Sequence, residues 1–373
     1  MHVAMVNFLN APHGLGADEV LARWRSLVDI AEIVAGGGTR VSVVQMAGFD
    51  TQVTRNGVDY RFVDTGGTRH AGELGRHAAR TVAALGADVV HVHSLAYARH
   101  AAAMARCHPA LPLVFQDHAD GVPRGWRRLP WRHWYRAASG IVFTSAVQAE
   151  PFLRRRLFDR GTRIFAVPES SNRFTTGDRA EARAATGLHG DPCVLSVGHL
   201  AAGKDPMTML DGVARAVERL PNLRLYCVFG TAPLMAGVQR RIDSDERLAG
   251  RVRLLGNVPH ARIEALMRAA DLFVSASLAE SAGYALLEAM ACGTYPVVTD
   301  IPSFRAMTDA GRVGTLWPRG DAMALADALV DAAAGSCERR RVRAHFDAAL
   351  SFEALGATWA GVYAQLQAAR VPS

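Results

Sequence analysis

The sequence contains one lysine, Lys204, among its 42 basic residues. Arginine fills every other basic position and alanine is abundant, which reads as the codon bias of a GC-rich genome. Cysteine is scarce too: Cys107, Cys193, Cys227, Cys292 and Cys337 are scattered, odd in number and mostly set in apolar runs. That argues against a disulfide framework and a zinc cluster, and suits a reducing cytoplasm. No apolar run approaches the roughly 20 residues that a membrane-spanning helix needs. The opening MHVAMVNFLN has neither a basic region nor a small-residue cleavage site, so it reads as a first strand, not a signal peptide. There is no HExxH, no P-loop, no paired CxxC and no Ser–His–Asp order. Zinc hydrolase, P-loop and serine-hydrolase chemistry are thereby disfavoured.

What is present is ordinary globular material: 373 residues, 50% hydrophobic and 21% charged. That length suits two domains. The net charge of +7 and pI near 9.5 suit an anionic partner without choosing one. Short continuous apolar runs at 2–8, 41–45, 60–63, 88–92, 112–116 and 141–144 alternate with helical stretches at 17–35, 70–85, 94–107 and 145–157. Continuous rather than alternating apolar runs suit parallel strands covered on both faces. The polar stretch 168–192 interrupts this pattern. It then restarts with strands at 193–197, 223–229, 252–255, 271–275, 295–298 and 313–316, and helices at 206–219, 233–248, 260–269, 283–292 and 321–333. Two doubly wound α/β domains are expected, 1–172 and 173–351, with a ligand site in the cleft between them. From Phe352, apolar residues through Trp359, Tyr363 and Leu366 recur at helical spacing. This last helix, 352–370, must pack on one domain or cross back to the other.

The sharpest signal is DLFVSASLAESAGYALLEAMACGTYPVVTD, 271–300. A strand runs into a loop with Glu280, and a helix opens near Gly283 and carries Glu288. A helix start leaves N–H groups unpaired at the positive end of its dipole, a fit for a diphosphate. Gly283 permits close backbone approach. Glu288 lies about 7–8 Å further along the helix, at 1.5 Å per residue, roughly a ribose's distance from a pyrophosphate. Glu280 falls on the other side, where a donor sugar would sit. A charge such as Glu288 in a helix flanked by apolar strands is poorly placed to be idle. In CVLSVGHLAAGKDP, 193–206, a strand runs into Gly198 and a loop with His199 and Lys204. One retained lysine in an arginine-rich chain suggests a compact ammonium on phosphate.

These residues together resemble the nucleotide-sugar half of retaining GT-B glycosyltransferases of family 4. VFGTAP, 228–233, resembles the family's glycine turn beside the nucleotide, through Gly230. LLGNVPHARIEALMRAADLFVSAS resembles its base-contacting segment, through Val258, and the tail from Phe352 resembles its crossover helix. The resemblance implies Glu280 on donor-sugar hydroxyls, Glu288 on the ribose and Lys204 on the diphosphate. Gly283, Tyr284 and Ala285 would offer N–H groups to the distal phosphate. His199 stands where the family usually has arginine, so charge there would depend on pH. NAPHGLG, 10–16, resembles the family's glycine loop after the first strand, placing Gly14 and Gly16 at the donor and His13 toward the acceptor. His118 resembles the histidine beside the reacting sugar, flanked by Asp117 and Asp120.

The implied activity is transfer of a sugar from a nucleoside-diphosphate sugar, a UDP-sugar first by family frequency, to an unidentified acceptor. No metal or cofactor is implied, because protein cations and the helix start take the diphosphate charge. Catalysis would rest on His118, Lys204 and Glu280. A nucleotide-sugar epimerase or a weakly catalytic nucleotide-sugar-binding protein on the same scaffold remain as alternatives. His91 and His93 read as core or supporting histidines, since no third metal ligand is spaced for them. The run RGWRRLPWRHWYRAA, 124–138, allows a packed helix, a peripheral contact with an anionic bilayer, or an acceptor site. Nucleic acid is not expected as a partner, because no recognised module accompanies the arginines.

Overall fold

The computed structural model describes residues 1–335 and 338–369. The chain forms two compact units, Met1–Ser171 together with the segment from Phe352, and Asn172–Ser351. Cys337 and Arg370 lie outside the described residues.

Among the described residues the first unit holds an eight-stranded sheet. Its strands are β1 (His2–Asn7), β2 (Arg40–Ala47), β3 (Thr51–Arg55), β4 (Val58–Asp64), β5 (Val89–His93), β6 (Leu113–Gln116), β7 (Gly140–Phe143) and β8 (Arg163–Ala166). The order is β3-β4-β2-β1-β5-β6-β7-β8. Every pairing is parallel except β3 with β4. The parallel strands from β1 to β7 are largely buried, because apolar side chains on both faces meet helices.

Beyond β8 and the helices Arg128–Tyr135, Arg179–Thr186, Pro302–Met307 and Arg339–Ala349, which the apolar pattern did not announce, the structure departs from the expected elements at a hairpin and at a helix break. The β3–β4 hairpin turns on Asn56-Gly57, both at positive φ (49° and 78°), the pairing a tight hairpin turn demands. β3 is a polar, mostly exposed edge strand and carries no apolar signature. The stretch 17–35 is two helices, Ala17–Arg23 and Arg25–Gly36. Trp24, at φ −105° and ψ 61°, leaves the helical region between them while packing against the first core.

The helix Phe352–Ala368 completes the first unit, burying Leu355, Trp359, Tyr363 and Leu366 in the same core as β1 and β2. It crosses the helix Arg25–Gly36 at Gly356. A Cβ on Gly356 would stand 2.6 Å from the Ile33 carbonyl oxygen and 2.8 Å from the Gly37 nitrogen. Only a glycine admits that backbone contact.

The second unit holds a six-stranded parallel sheet: β9 (Cys193–Val197), β10 (Arg224–Val228), β11 (Val252–Gly256), β12 (Leu272–Ser275), β13 (Tyr295–Thr299) and β14 (Thr315–Trp317). Their order is β11-β10-β9-β12-β13-β14. An apolar core lies on each face. The chain steps outward one way from β9 and the other way from β12, so their shared boundary is the topological switch point.

Candidate functional site

A cavity of about 790 Å³ opens in the second unit, lined by residues that follow β9, β10, β11 and β12. It lies at the carboxyl ends of the strands around the switch point, where crevices of such sheets form. Gly198, His199, Lys204, Gly230, Val258, Glu280, Gly283, Tyr284, Ala285 and Glu288 all line it. Gly14, Gly16 and His118 belong to the other unit.

One wall is the start of the helix Tyr284–Ala291. Its N-cap, Gly283, sits at φ 59°, and no side chain caps it. The loop before it folds tightly over Phe304 and Met307: a Cβ on Gly283 would stand 2.6 Å from Met307 Cε. The Leu286 and Leu287 N–H groups turn back to the Gly283 carbonyl (2.9 and 3.1 Å). The first-turn N–H dipoles therefore converge at the Gly283–Ala285 edge of the cavity.

Lys204 ends a short turn, Ala202–Lys204, after β9. Its Nζ forms an ion pair with Glu280 Oε1, which also accepts the Ser277 hydroxyl at 2.7 Å. The Leu278 N–H donates to the Gly203 carbonyl (2.9 Å), so the lysine and glutamate loops are stitched backbone to backbone. His199 is exposed, and its Nδ1 accepts the Thr231 N–H at 3.1 Å. With Nδ1 accepting, the ring N–H lies on Nε2.

Glu288 lies on the buried face of its helix at 6% exposure, among Leu287, Ala289 and Met290. A carboxylate there needs a partner. His260, which opens the helix His260–Ala269, donates its Nε2–H to Glu288 Oε1 at 2.8 Å. The Phe174 ring rests against His260 at 5.2 Å between centroids. His260 also lines the cavity, beside Asn257 and Val258. The cavity thus brings together a helix start, a cation paired with a glutamate, a buried carboxylate with a histidine, and apolar residues such as Val258 and Ile263.

Residues 178–345 match the family Glycosyl transferases group 1. The matched stretch lies within the second unit. A D-inositol 3-phosphate glycosyltransferase of Nocardia farcinica is 31% identical over 200 residues, 52% of this chain and 44% of its own length. A phosphatidyl-myo-inositol mannosyltransferase of Mycobacterium leprae is 46% identical over 84 residues, 22% of each chain. This chain therefore spans less than half the length of those curated relatives. Anabaena HepE, solved in complex with UDP, superposes over 98% of this chain and 100% of its own, with TM-score 0.70 and 18% identity. That likeness gives the fold, the GT-B arrangement of two α/β sheets.

Apart from this cavity, the first unit gathers a chain of titratable side chains. His118 follows β6 and keeps 24% of its side chain exposed. It donates Nδ1–H to Glu169 Oε1 at 2.7 Å, and its Nε2 meets His93 Nδ1 at 3.2 Å. His93 stacks on His91 (4.8 Å between centroids), and His91 Nδ1 pairs with the Tyr363 hydroxyl at 2.8 Å. Burial pulls His118 down, but the Glu169 hydrogen bond and charge, with Asp120 and Asp117, outweigh it and leave its pKa raised. Burial holds His93 well below its ordinary value, helped by His91 and His118. A charged His118 donating to a neutral His93 satisfies both shifts. Burial lifts Asp117 to about 6, although the N–H groups of Asp120 and Ala119 favour its charge. Asp120 accepts from the Ser94 hydroxyl and the Leu95 N–H, each at 2.7 Å.

In the glycine loop, the Gly16 N–H donates to the Glu19 carboxylate at 2.8 Å, and Asp18 lies in the same first turn. His118, expected beside a sugar, has both ring nitrogens bonded within its own unit. The residues that sequence reasoning missed are the partners: Glu169 for His118, and His260 for Glu288. Each is far along the chain from the residue it holds. His260 alone had a signal, its place just after the strand and turn LLGNVP.

Proposed function

We propose that the chain is a retaining glycosyltransferase of GT-B family 4 type, moving a sugar from a nucleoside-diphosphate sugar to an acceptor hydroxyl. A UDP-sugar is the first donor to try. The observation that carries this is one cavity lined together by an uncapped helix start, the chain's one lysine and a buried carboxylate, Glu288. The helix start and Lys204 would take the diphosphate, and Glu288 the ribose hydroxyls. Lys204 and Glu280 neutralise each other. An arriving diphosphate competes for Lys204 and frees Glu280 for the donor-sugar hydroxyls, so one contact exchange couples the two halves of the donor. His199 would offer its Nε2–H to the phosphate, in place of the family's arginine. The HepE complex supports UDP as the nucleotide, and the inositol named in both relatives supports a polyol or phosphorylated-sugar acceptor.

The missing arginine favours one second reading, a protein that binds nucleotide sugars without turning them over. A thermal-shift panel of UDP-, GDP-, ADP- and dTDP-sugars, followed by nucleotide-release assays with polyol acceptors, separates the readings. A ligand at 100 times its Kd stabilises by about 2.7 kcal/mol, a readable shift. Glu288→Ala is expected to weaken donor and free UDP alike, by about 2 kcal/mol, the usual worth of a hydrogen bond to a charged group. Glu280→Gln is expected to keep or improve UDP affinity, because Lys204 is released, and to lower turnover. Equal loss of UDP binding in both variants overturns this assignment of the two glutamates. Binding without nucleotide release, with every acceptor tried, leaves the second reading.

A further inference from the structure

The aromatic run of 124–138 divides in two. Trp131 and Trp134 pack against the first unit's core, and Tyr135 is buried against Phe115 and Phe158. Trp126 and Leu129 face outward instead, 78% and 66% exposed. Packing of the helix Arg128–Tyr135 explains the first group and leaves the second unexplained.

Beside that outward pair is a cavity of about 310 Å³, lined by Leu129 and five arginines: Arg128, Arg132, Arg154, Arg155 and Arg156. Arg128 and Arg132 lie one helical turn apart on one element. The other three end the helix Ala146–Arg154 and the turn after it. Arg156 stands at φ 52°, a left-handed position that ordinarily goes to glycine. Arg154 pairs with Glu150, and Arg155 Nη1 donates to the Pro151 carbonyl at 3.0 Å. Among the described residues, Arg128, Arg132 and Arg156 have no acidic partner. The carbonyls at a helix end favour some cations, but only within the last turn. They do not account for Arg128 and Arg132, which come from another helix. Five guanidinium groups around one concavity focus a strong positive potential outward.

An exposed tryptophan and leucine next to a cavity with five arginines, one of them ion-paired, match a surface that is apolar and anionic together. We propose that this face docks the first unit on an anionic phospholipid bilayer. The arginine cavity receives lipid phosphodiester headgroups, and Trp126 and Leu129 enter the interfacial layer. Guanidinium groups bind phosphate oxygens bidentately, and tryptophan suits the boundary between headgroup and acyl chain. The contact is peripheral: no helix among the described residues is long and apolar enough to cross a membrane.

Co-sedimentation of the full chain with phosphatidylglycerol–phosphatidylcholine vesicles, and with phosphatidylcholine vesicles alone, tests this. Binding is expected only with phosphatidylglycerol and is expected to weaken as salt rises. Arg128→Ala/Arg132→Ala is expected to weaken it at least about tenfold, from the charge contribution of two surface arginines. Trp126→Ala is expected to weaken it without changing its salt dependence. All three substituted residues are exposed, and coincident melting curves confirm folding. Should the double alanine variant melt early, Arg128→Gln/Arg132→Gln replaces it. The proposal is overturned by no binding, by equal binding to phosphatidylcholine, or by full binding of the arginine variants. Displacement by millimolar inorganic phosphate overturns it in favour of a soluble-phosphate site. Equally tight binding of single-stranded RNA through the same arginines overturns it in favour of nucleic acid.

Discussion

A buried ionisable side chain is tolerable only when a partner or a lost charge settles its desolvation, and both solutions occur here. Glu288 keeps its place on an apolar helix through His260. His91 and His93 take the other route. Burial, then the charge of His118, draws His91 down to about 3, against a hydrogen bond with Gln116, and His93 is also held well below its ordinary value. Depressed histidines contribute stability that is present above the unfolded value of 6.5 and is lost as pH falls toward their folded values. His118 is raised, so its contribution is full below 6.5 and is lost as pH rises through its folded value. Stability of the first unit is therefore expected to decline on both sides of a near-neutral maximum. On the acid side, charging one such histidine costs on the order of several kcal/mol. His93→Gln, which cannot charge, is expected to lose less stability than the wild type between pH 6.5 and 4. Denaturant unfolding across that range checks it, and parallel losses in the two proteins count against the assignment.

At the scale of elements, the helix Tyr284–Ala291 and its glycine cap set the geometry of the cavity. Gly283→Ala places a Cβ on a left-handed residue and within 2.6 Å of Met307 Cε. We expect a destabilisation of about 1–2 kcal/mol from the backbone alone. The thermal shift with nucleotide sugars is expected to vanish with it. A variant that is destabilised but still shifts fully would detach the cap from binding. This helix was legible in the sequence because glycine, a loop acid and an apolar run with one inward glutamate have few other uses together. The parallel strands were legible because burial on both faces leaves unbroken apolar runs. The edge strand β3 was not, since four of its five residues are polar, and only Asn56-Gly57 announced the hairpin. Trp24 hid a helix break, because its apolar side chain fits the helical period that its backbone abandons. The partner residues were illegible for a different reason. His260 is 28 residues from Glu288, and Glu169 is 51 from His118, distances that only the folded sheets close.

At the scale of the whole molecule, the first unit draws on both ends of the described chain, and the second is one continuous stretch. Trp359 is 1% exposed, stacked against Tyr363 and His91. Trp359→Ala is expected to cost about 3–5 kcal/mol, as other buried tryptophan truncations do. The loss should be confined. Native-state hydrogen exchange is expected to quicken in β1, β2 and the helix Arg25–Gly36, and to stay unchanged in β9 to β14. Uniform acceleration across both sheets would contradict that confinement. The same connectivity bears on synthesis. Residues 172–351 leave the ribosome as a complete folding unit, ahead of the helix that carries Trp359 and Tyr363. The first eight strands to be translated wait, with one flank of their core uncovered, until that helix emerges. The half of the protein made first is the half that finishes folding last, and a chaperone bound during translation would find its apolar target there.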